Sequence, residues 1–375
     1  MVCSMLSFMR GVHRGILKRL FWNLAFLKLL LWRRKFFLKQ KQKRDKRDKN
    51  VSHHVTHCSK EFSFIQHYFS SLAGEAALGL RDDAAIFTPP EGQELVVTVD
   101  GMVENVHFFS DDPPETIGRK LLRCNLSDLA AMGSKPEGWL LTFARPPHIT
   151  EAWVQRFTEG IARDQEKFQI SLMGGDTLST SGPLVLSLTL IGSVLHGQAI
   201  QRKGAQAGDG IWVTGSIGDA ALGLKVLRGE LEETSGRLVD RYRIPRPRVG
   251  LPLFGLASAA LDISDGLVQD CGHLAHENGL HAVLEAKTIP LSIPAQQAGT
   301  PWLKTCLTGG DDYEILMAIP PHHEKALEKS GFLQTPYGRV PITRIGVFVE
   351  GAPAVTVYDT QGMPMVFTTP GWSHI

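Results

Sequence analysis

Nine aspartates stand where chemistry is possible: Asp82-Asp83, Asp100, Asp128, Asp176, Asp262, Asp265 and Asp311-Asp312. Their contexts are LRDDAA, VVTVDG, NLSDLAA, MGGDT, LDISDG and TGGDDYE, each at the end of an apolar run or beside small residues. A solvated acidic surface scatters its carboxylates among Lys and Glu. Carboxylates fixed at element ends beside glycine suit a hard, oxygen-ligated cation such as Mg2+ bound together with phosphate. Taken alone, Asp128 has a plainer reading, as a carboxylate paired with an Arg or accepting backbone N–H groups, because charges are rarely buried unpaired. The set as a whole favours a site for metal and polyanion.

The elements that must position these groups follow from periodicity. In Arg119 to Pro136, Leu121, Leu122, Leu126, Leu129 and Met132 form a helical apolar stripe with Asp128 among them, and Gly133 supplies a stop. Helical spacing also runs over Glu61 to Leu72 and Ala152 to Phe168, where Asp164 reads as a surface carboxylate. Alternating, β-branched runs predict strands at Leu95 to Val103, which carries Thr98 and Asp100, and at Leu184 to Val194. Further strands are expected at Ile211 to Thr214, Leu280 to Ala286, Tyr313 to Ile319, Ile342 to Val349 and Ala354 to Tyr358. Pro245 to Pro247 reads as a break before an Ala- and Leu-rich helix, and a later helix runs through Leu274. Gly215 and Gly218 lie at a strand-to-helix turn, where backbone N–H groups can hold phosphate, but tight-turn geometry is the favoured reading. No GxxxxGK[ST] occurs, so a Walker-type ATPase is unsupported.

The ordered motifs EFSFIQHYF, RDDAAIF, VVTVDGMVENVHF, KLLRCNLSDLAAMGSKP, GGDT, GDGIWVTGSIGDAALGL, RPRVGL, LDISDGLVQD, LTGGDDYE and GWSHI resemble the thiamine-monophosphate kinase family, in the aminoimidazole ribonucleotide synthetase superfamily. The resemblance covers roughly Glu61 to Ile375. It implies an α+β fold with an N-terminal mixed sheet, within an ATP- and metal-binding and dimerisation domain over 59–200, and a C-terminal α/β domain over 201–375. It implies ATP-dependent phosphorylation of thiamine monophosphate to thiamine diphosphate, with several Mg2+ ions, a homodimer and a cytoplasmic enzyme. By motif position it places Mg2+ on Asp83, Thr98, Asp100, Asp128, Asp176, Asp262 and Asp265. It places ATP at Gly175, Asp176, Arg202 and Ser264, and the acceptor at His107 and Asp311. For His107 alone, a solvent-facing strand-end histidine is the plainer reading. No general base is expected, because the nucleophile is a phosphate oxygen already largely ionised at neutral pH.

The chain departs from the family pattern at Arg81, where Gly is usual, at Val99, where a hydroxyl residue is usual, in LSTSG after GGDT, and at Thr369, where an aromatic is usual. Selenophosphate synthetase-like and hydrogenase-maturation dehydratase-like activities share the superfamily. The first expects a reactive cysteine near a glycine-rich N-terminus and the second a C-terminal cysteine, where this chain has Trp372-Ser373-His374-Ile375. A non-catalytic ATP-binding protein is the remaining alternative.

Composition adds a division. The formal net charge is +2 over 375 residues, but residues 1–50 hold 15 Lys and Arg against 2 Asp, a net of +13 that leaves −11 for the rest. A basic extension (1–58) precedes an acidic body. Its apolar run Leu20 to Trp32 is too short to span a bilayer, which takes about twenty residues. It suits a membrane surface, nonspecific nucleic-acid binding, or no role. The last is favoured, with residues 1 to about 55 dispensable and no nucleic-acid partner expected. Five scattered cysteines without a CxxC pair argue against a zinc site or disulfide framework and fit a reducing compartment.

Overall fold

The computed structural model describes residues 60–373, so the basic extension and its apolar run lie outside the described residues. The organising helix, α2 (Pro114–Ala131), opens on Pro114 in its first turn and stops before Gly133. Proline is suited to that first turn, since its missing N–H has no helical partner to lose. Leu121, Leu122, Leu126 and Leu129 are fully buried. Ahead of it, α1 (Lys60–Phe69) runs into a 3-10 turn at Ser70–Leu72.

One side of α2 packs on a four-stranded sheet of β1 (Gln93–Val103), β2 (Lys135–Arg145), β3 (Ser171–Ser179) and β4 (Val185–Leu195), in the order β1-β4-β2-β3. Only β2 and β3 pair in parallel. The expected strands at 95–103 and 184–194 are present, whereas β2 and β3 lay unmarked in the sequence. Pro136 and Glu137 disguise the start of one, and Gly174-Gly175 depresses the strand character of the other.

Alternation along β1 decides which side meets the helix. Val96 and Met102 are buried, and Thr98 and Asp100 share their face; Leu95, Val97 and Val99 point the other way and are 43%, 59% and 61% exposed. Thr189, Ile191, Leu140 and Thr142 continue that second face by register, and it is left uncovered and nearly free of charge.

Helix α3 (Glu151–Phe168) lies beside α2, its first turn capped by the Thr150 hydroxyl, which accepts from Trp153 N–H at 3.2 Å. Asp164 on this helix corrects the sequence reading. It is 1% exposed and accepts from both Arg119 and Arg123 of α2. The α2–α3 seam therefore contains a buried ion triad.

The second sheet takes β5 (Gly210–Thr214), β6 (Ala259–Asp262), β7 (Leu280–Glu285), β8 (Ile315–Ile319), β10 (Gly338–Glu350) and β11 (Ala354–Tyr358) in the order β11-β7-β10-β5-β8-β6, with β9 (Phe332–Thr335) beside β10. Its strands are antiparallel except for β11 on β7. Helix α4 (Asp219–Leu227) follows β5, α5 (Arg237–Arg243) precedes the proline break, and α6 (Leu267–Asn278) follows β6. The helix expected after Pro247 is absent. Residues 248–258 form turns, with Gly250 and Gly255 at positive φ and Pro252 between them. Helix α2 touches β6 and β8 as well as β1 and β4, so one helix spans both sheets and a shared apolar core.

Candidate active site

The site is built on one face of α2. Lys120, Cys124 and Asp128 follow at intervals of four, so this face runs about 12 Å from the first to the last at 1.5 Å per residue. At the Asp128 end, Thr98 Oγ1 donates to Asp128 Oδ2 at 2.6 Å, and Asp100 N–H donates to the Asn125 side chain at 3.1 Å. Thr98, Asp128 and Asp262 line a cavity of about 340 Å³ with Arg202. Asp262, at the end of β6, is 6% exposed, and its Oδ2 has no hydrogen-bond partner.

These carboxylates burden one another. Burial, then the neighbouring Asp128, pushes Asp100 up to about 7. Burial pushes Asp128 up against the hydrogen bond from Thr98 and the nearby Arg202 guanidinium. Burial and then Asp128 push Asp262 well above the ordinary carboxylate range. All-oxygen donors, an orphaned buried carboxylate oxygen and mutual repulsion fit a hard divalent cation.

Asp83, Gly175 and Asp176 gather elsewhere, around a cavity of about 650 Å³ that includes Leu140, Thr142, Ser187 and Thr189 of the uncovered face. Asp100 shares a register row with Leu188, Leu141 and Gly175, whereas Asp176 shares one with Thr142 and Ser187. Three strand spacings separate the outer strands, about 14 Å, and successive rows face opposite ways. The expected ligands Asp83 and Asp176 therefore stand apart from Thr98, Asp100, Asp128 and Asp262 within this chain. Gly175 has its own structural reason: a Cβ there would sit 2.1 Å from Leu141 O.

A third group joins Asp265 to two residues not foreseen, Asp270 and His273, whose ligand atoms all lie within 4.8 Å of one another. Asp270 Oδ2 accepts the backbone N–H groups of Asp265 and Gly266, 3.0 Å each, which fixes this turn. Trp372 N–H donates to Asp265 O at 2.9 Å, and Gln269 Nε2 donates to Trp372 O at 2.6 Å. The aromatic of the C-terminal segment beside this turn is thus Trp372, three residues beyond Thr369.

At the other end of α2, His107 and Asp311 come together. Ser264 also belongs here, because its carbonyl accepts Asp311 N–H at 2.9 Å. Val103 N–H donates to His107 Nδ1 at 3.0 Å, so the neutral ring carries its proton on Nε2. His107 is half-buried in the turn after β1, not solvent-facing. Gly215 and Gly218 are at positive φ, and Gly218 N–H donates to Asp312 Oδ2 at 2.8 Å, so the tight-turn reading is the one the structure shows.

Two of the departures from pattern, Arg81 and Val99, have local explanations. Arg81 has φ −118°, which asks for no glycine. Val99 points to the face opposite Thr98 and Asp100, so a side chain there does not reach the Asp128 group.

Residues 81–194 match the family model for the N-terminal domain of AIR synthase related protein. A thiamine-monophosphate kinase from Caulobacter vibrioides is 40% identical over 310 residues, covering 80% of this chain and 85% of that protein. The chain belongs to the thiamine-monophosphate kinase family. The crystal structure of the Stenotrophomonas maltophilia K279a thiamine-monophosphate kinase superposes with a TM-score of 0.68 at 35% identity, covering 80% of this chain and 96% of that one. The solved structure of AaThiL complexed with AMPPCP and TMP gives 0.66 at 30% identity, covering 78% and 91%. The α+β architecture with two sheets is that of this kinase family. No helix among the described residues is long and apolar enough to cross a membrane.

Proposed function

We propose that this protein transfers the γ-phosphoryl group of ATP directly to the phosphate of thiamine monophosphate, giving thiamine diphosphate and ADP. The observation that carries this reading is the trio of half-buried Asp100 and Asp128 and buried Asp262, with Arg202 as a nearby cation, inside a chain of this kinase family. An acceptor phosphate oxygen attacks the γ-phosphorus, one P–O bond forms, the bond to the β-phosphate oxygen breaks, and no proton has to be removed first. The obstacle is repulsion between two polyanions. These three carboxylates, with Thr98, would hold Mg2+, which would supply positive charge against the phosphate repulsion. Asp83 and Asp176 supply donors of the same kind on the second cavity, and Asp265 on the third group.

Arg202 faces the first cavity and is the cationic contact for ATP phosphates. His107 Nε2–H is the donor for the acceptor's phosphate, and Asp311 is the counter-charge for its thiazolium. The working form is proposed to be a homodimer. The uncovered face of the four-stranded sheet is apolar and hydroxyl-lined, and a second copy packed there would wall the Asp83–Asp176 cavity. Incubation of the purified protein with ATP, Mg2+ and thiamine monophosphate tests the reading. Thiamine diphosphate and ADP should appear in equal amounts, and their absence at saturating substrates would remove it.

A further inference from the structure

Lys120, in the first half of α2, lies 3% exposed and makes two hydrogen bonds and one ring contact. Its Nζ is 2.7 Å from Asp311 Oδ2 and 3.1 Å from the His107 carbonyl. It also sits 3.9 Å from the centre of the Tyr242 ring, within cation–π range. The Tyr242 hydroxyl donates to the same His107 carbonyl at 3.3 Å. Asp311 is fixed from its other side as well, its Oδ1 accepting from the Tyr313 hydroxyl at 3.1 Å. Asp311 sits at φ +70°, a region that non-glycine residues adopt only when their surroundings hold them there.

The pair is lopsided. The ammonium side chain is 4% exposed, whereas the Asp311 side chain is 32% exposed. The cation forms a floor, and the carboxylate stands on it with an open side. Burial works against the ammonium, while Asp311 and the Tyr242 side chain hold it charged. A buried ion pair is a weak source of stability, because desolvation offsets much of the attraction. What it does supply is geometry: three segments remote in sequence, the turn at 107, helix α5 and the loop at 311, meet on one nitrogen.

We propose that Lys120 is a positioning residue that fastens the Asp311 carboxylate and the turn bearing His107 at a fixed separation, and thereby sets affinity for an acceptor that is cationic at one end and a phosphate ester at the other. This rests on the acceptor reading given above. Substituting Lys120 disturbs acceptor recognition at one end of α2 and leaves the Asp128 end, about 12 Å away, to ATP and metal.

The experiment measures KM for thiamine monophosphate, KM for ATP, kcat and thermal melts for wild type, Lys120→Gln, Lys120→Arg, Asp311→Asn and the Lys120→Gln/Asp311→Asn double variant. Lys120→Gln should raise the thiamine monophosphate KM about tenfold or more, the scale of a lost charged hydrogen bond, with the ATP KM within about twofold. The double variant should be no worse than about twofold beyond Asp311→Asn alone, because the two residues act as one unit. Lys120→Arg keeps the charge and guards against a misfolded Gln variant. Its planar fork cannot meet both oxygens and the ring as the ammonium does, so its acceptor KM should rise about threefold or more at a near-normal melting temperature. Acceptor KM values unchanged in both variants, additive effects in the double variant, or equal losses for ATP and acceptor tracking a lowered melting temperature would each overturn the positioning role. A wild-type protein that does not turn over thiamine monophosphate would instead contradict the proposed function.

Discussion

At the residue scale, Asp128 is the most demanding of the carboxylates, since it adjoins Thr98, Asp100 and Asp262. Asn in its place keeps shape and an acceptor for Thr98 but removes the charge. Loss of one preorganised electrostatic partner typically costs about 3 to 4 kcal/mol in the transition state, so Asp128→Asn should lower kcat by roughly a hundredfold or more. Folding should survive. Exposed Asp240→Asn on α5 is the comparison and should keep near-normal turnover; kcat measured across Mg2+ concentrations reads both.

Asp100 adds a pH signature. Its ordinary value of 3.8 is pushed up to about 7 in the fold, so between those limits the folded protein holds a proton that the unfolded chain has released. The stabilisation is full below about 3.8 and is lost as pH rises through about 7. Metal-free protein should therefore melt lower at pH 8 than at pH 5, and added Mg2+ should recover more stability at pH 8. Asp100→Asn should flatten part of the slope, leaving the shares of Asp128 and Asp262, which burial also pushes up, and of Asp270, pushed up to about 7. A steeper slope in the variant would contradict the burden assigned to Asp100.

At the element scale, the seam between α2 and α3 rests on Asp164. Burial alone would raise its pKa, but the Arg123 and Arg119 guanidiniums hold it below the usual carboxylate range. Asp164→Asn leaves two guanidiniums, one of them 4% exposed, without a counter-charge. Removing one member of such a buried group costs about 3 to 5 kcal/mol. Calorimetry should show a markedly lower melting temperature, with kcat of the folded fraction little changed. An unshifted melt would mean that the triad is not holding the seam.

The same seam shows how far the sequence could be read. The Asp128 stripe was visible because helical periodicity and one out-of-place carboxylate are local signals. Thr98 and Asp100 were visible from alternation along β1. Asp164 read as a surface residue because its partners lie more than forty residues away on another helix. Lys120 carried no signal, since Tyr242 and Asp311 meet it only after both sheets are in place. The motifs ordered the expected ligands along the chain but were silent about sheet faces. Only the register of β1, β4, β2 and β3 separates Asp176 from Asp100.

At the scale of the whole molecule, the uncovered face of the four-stranded sheet predicts self-association. A Val97→Lys/Val99→Lys variant places two charges on that face without touching Thr98 or Asp100, which point the other way. Light scattering should show a dimer for the wild type at micromolar concentration and a monomer for the variant. A monomeric wild type would refute the homodimer. The central claim concerns what attacks the γ-phosphate, and one assay decides it: the purified protein, ATP and Mg2+ at neutral pH, with thiamine monophosphate and free thiamine offered in parallel. The phosphate ester, already ionised, should give thiamine diphosphate with matching ADP, while free thiamine, whose hydroxyl would need a base, should give no phosphorylated product above background. Equal turnover of free thiamine, or ADP formation without thiamine diphosphate, would contradict direct transfer to the acceptor phosphate.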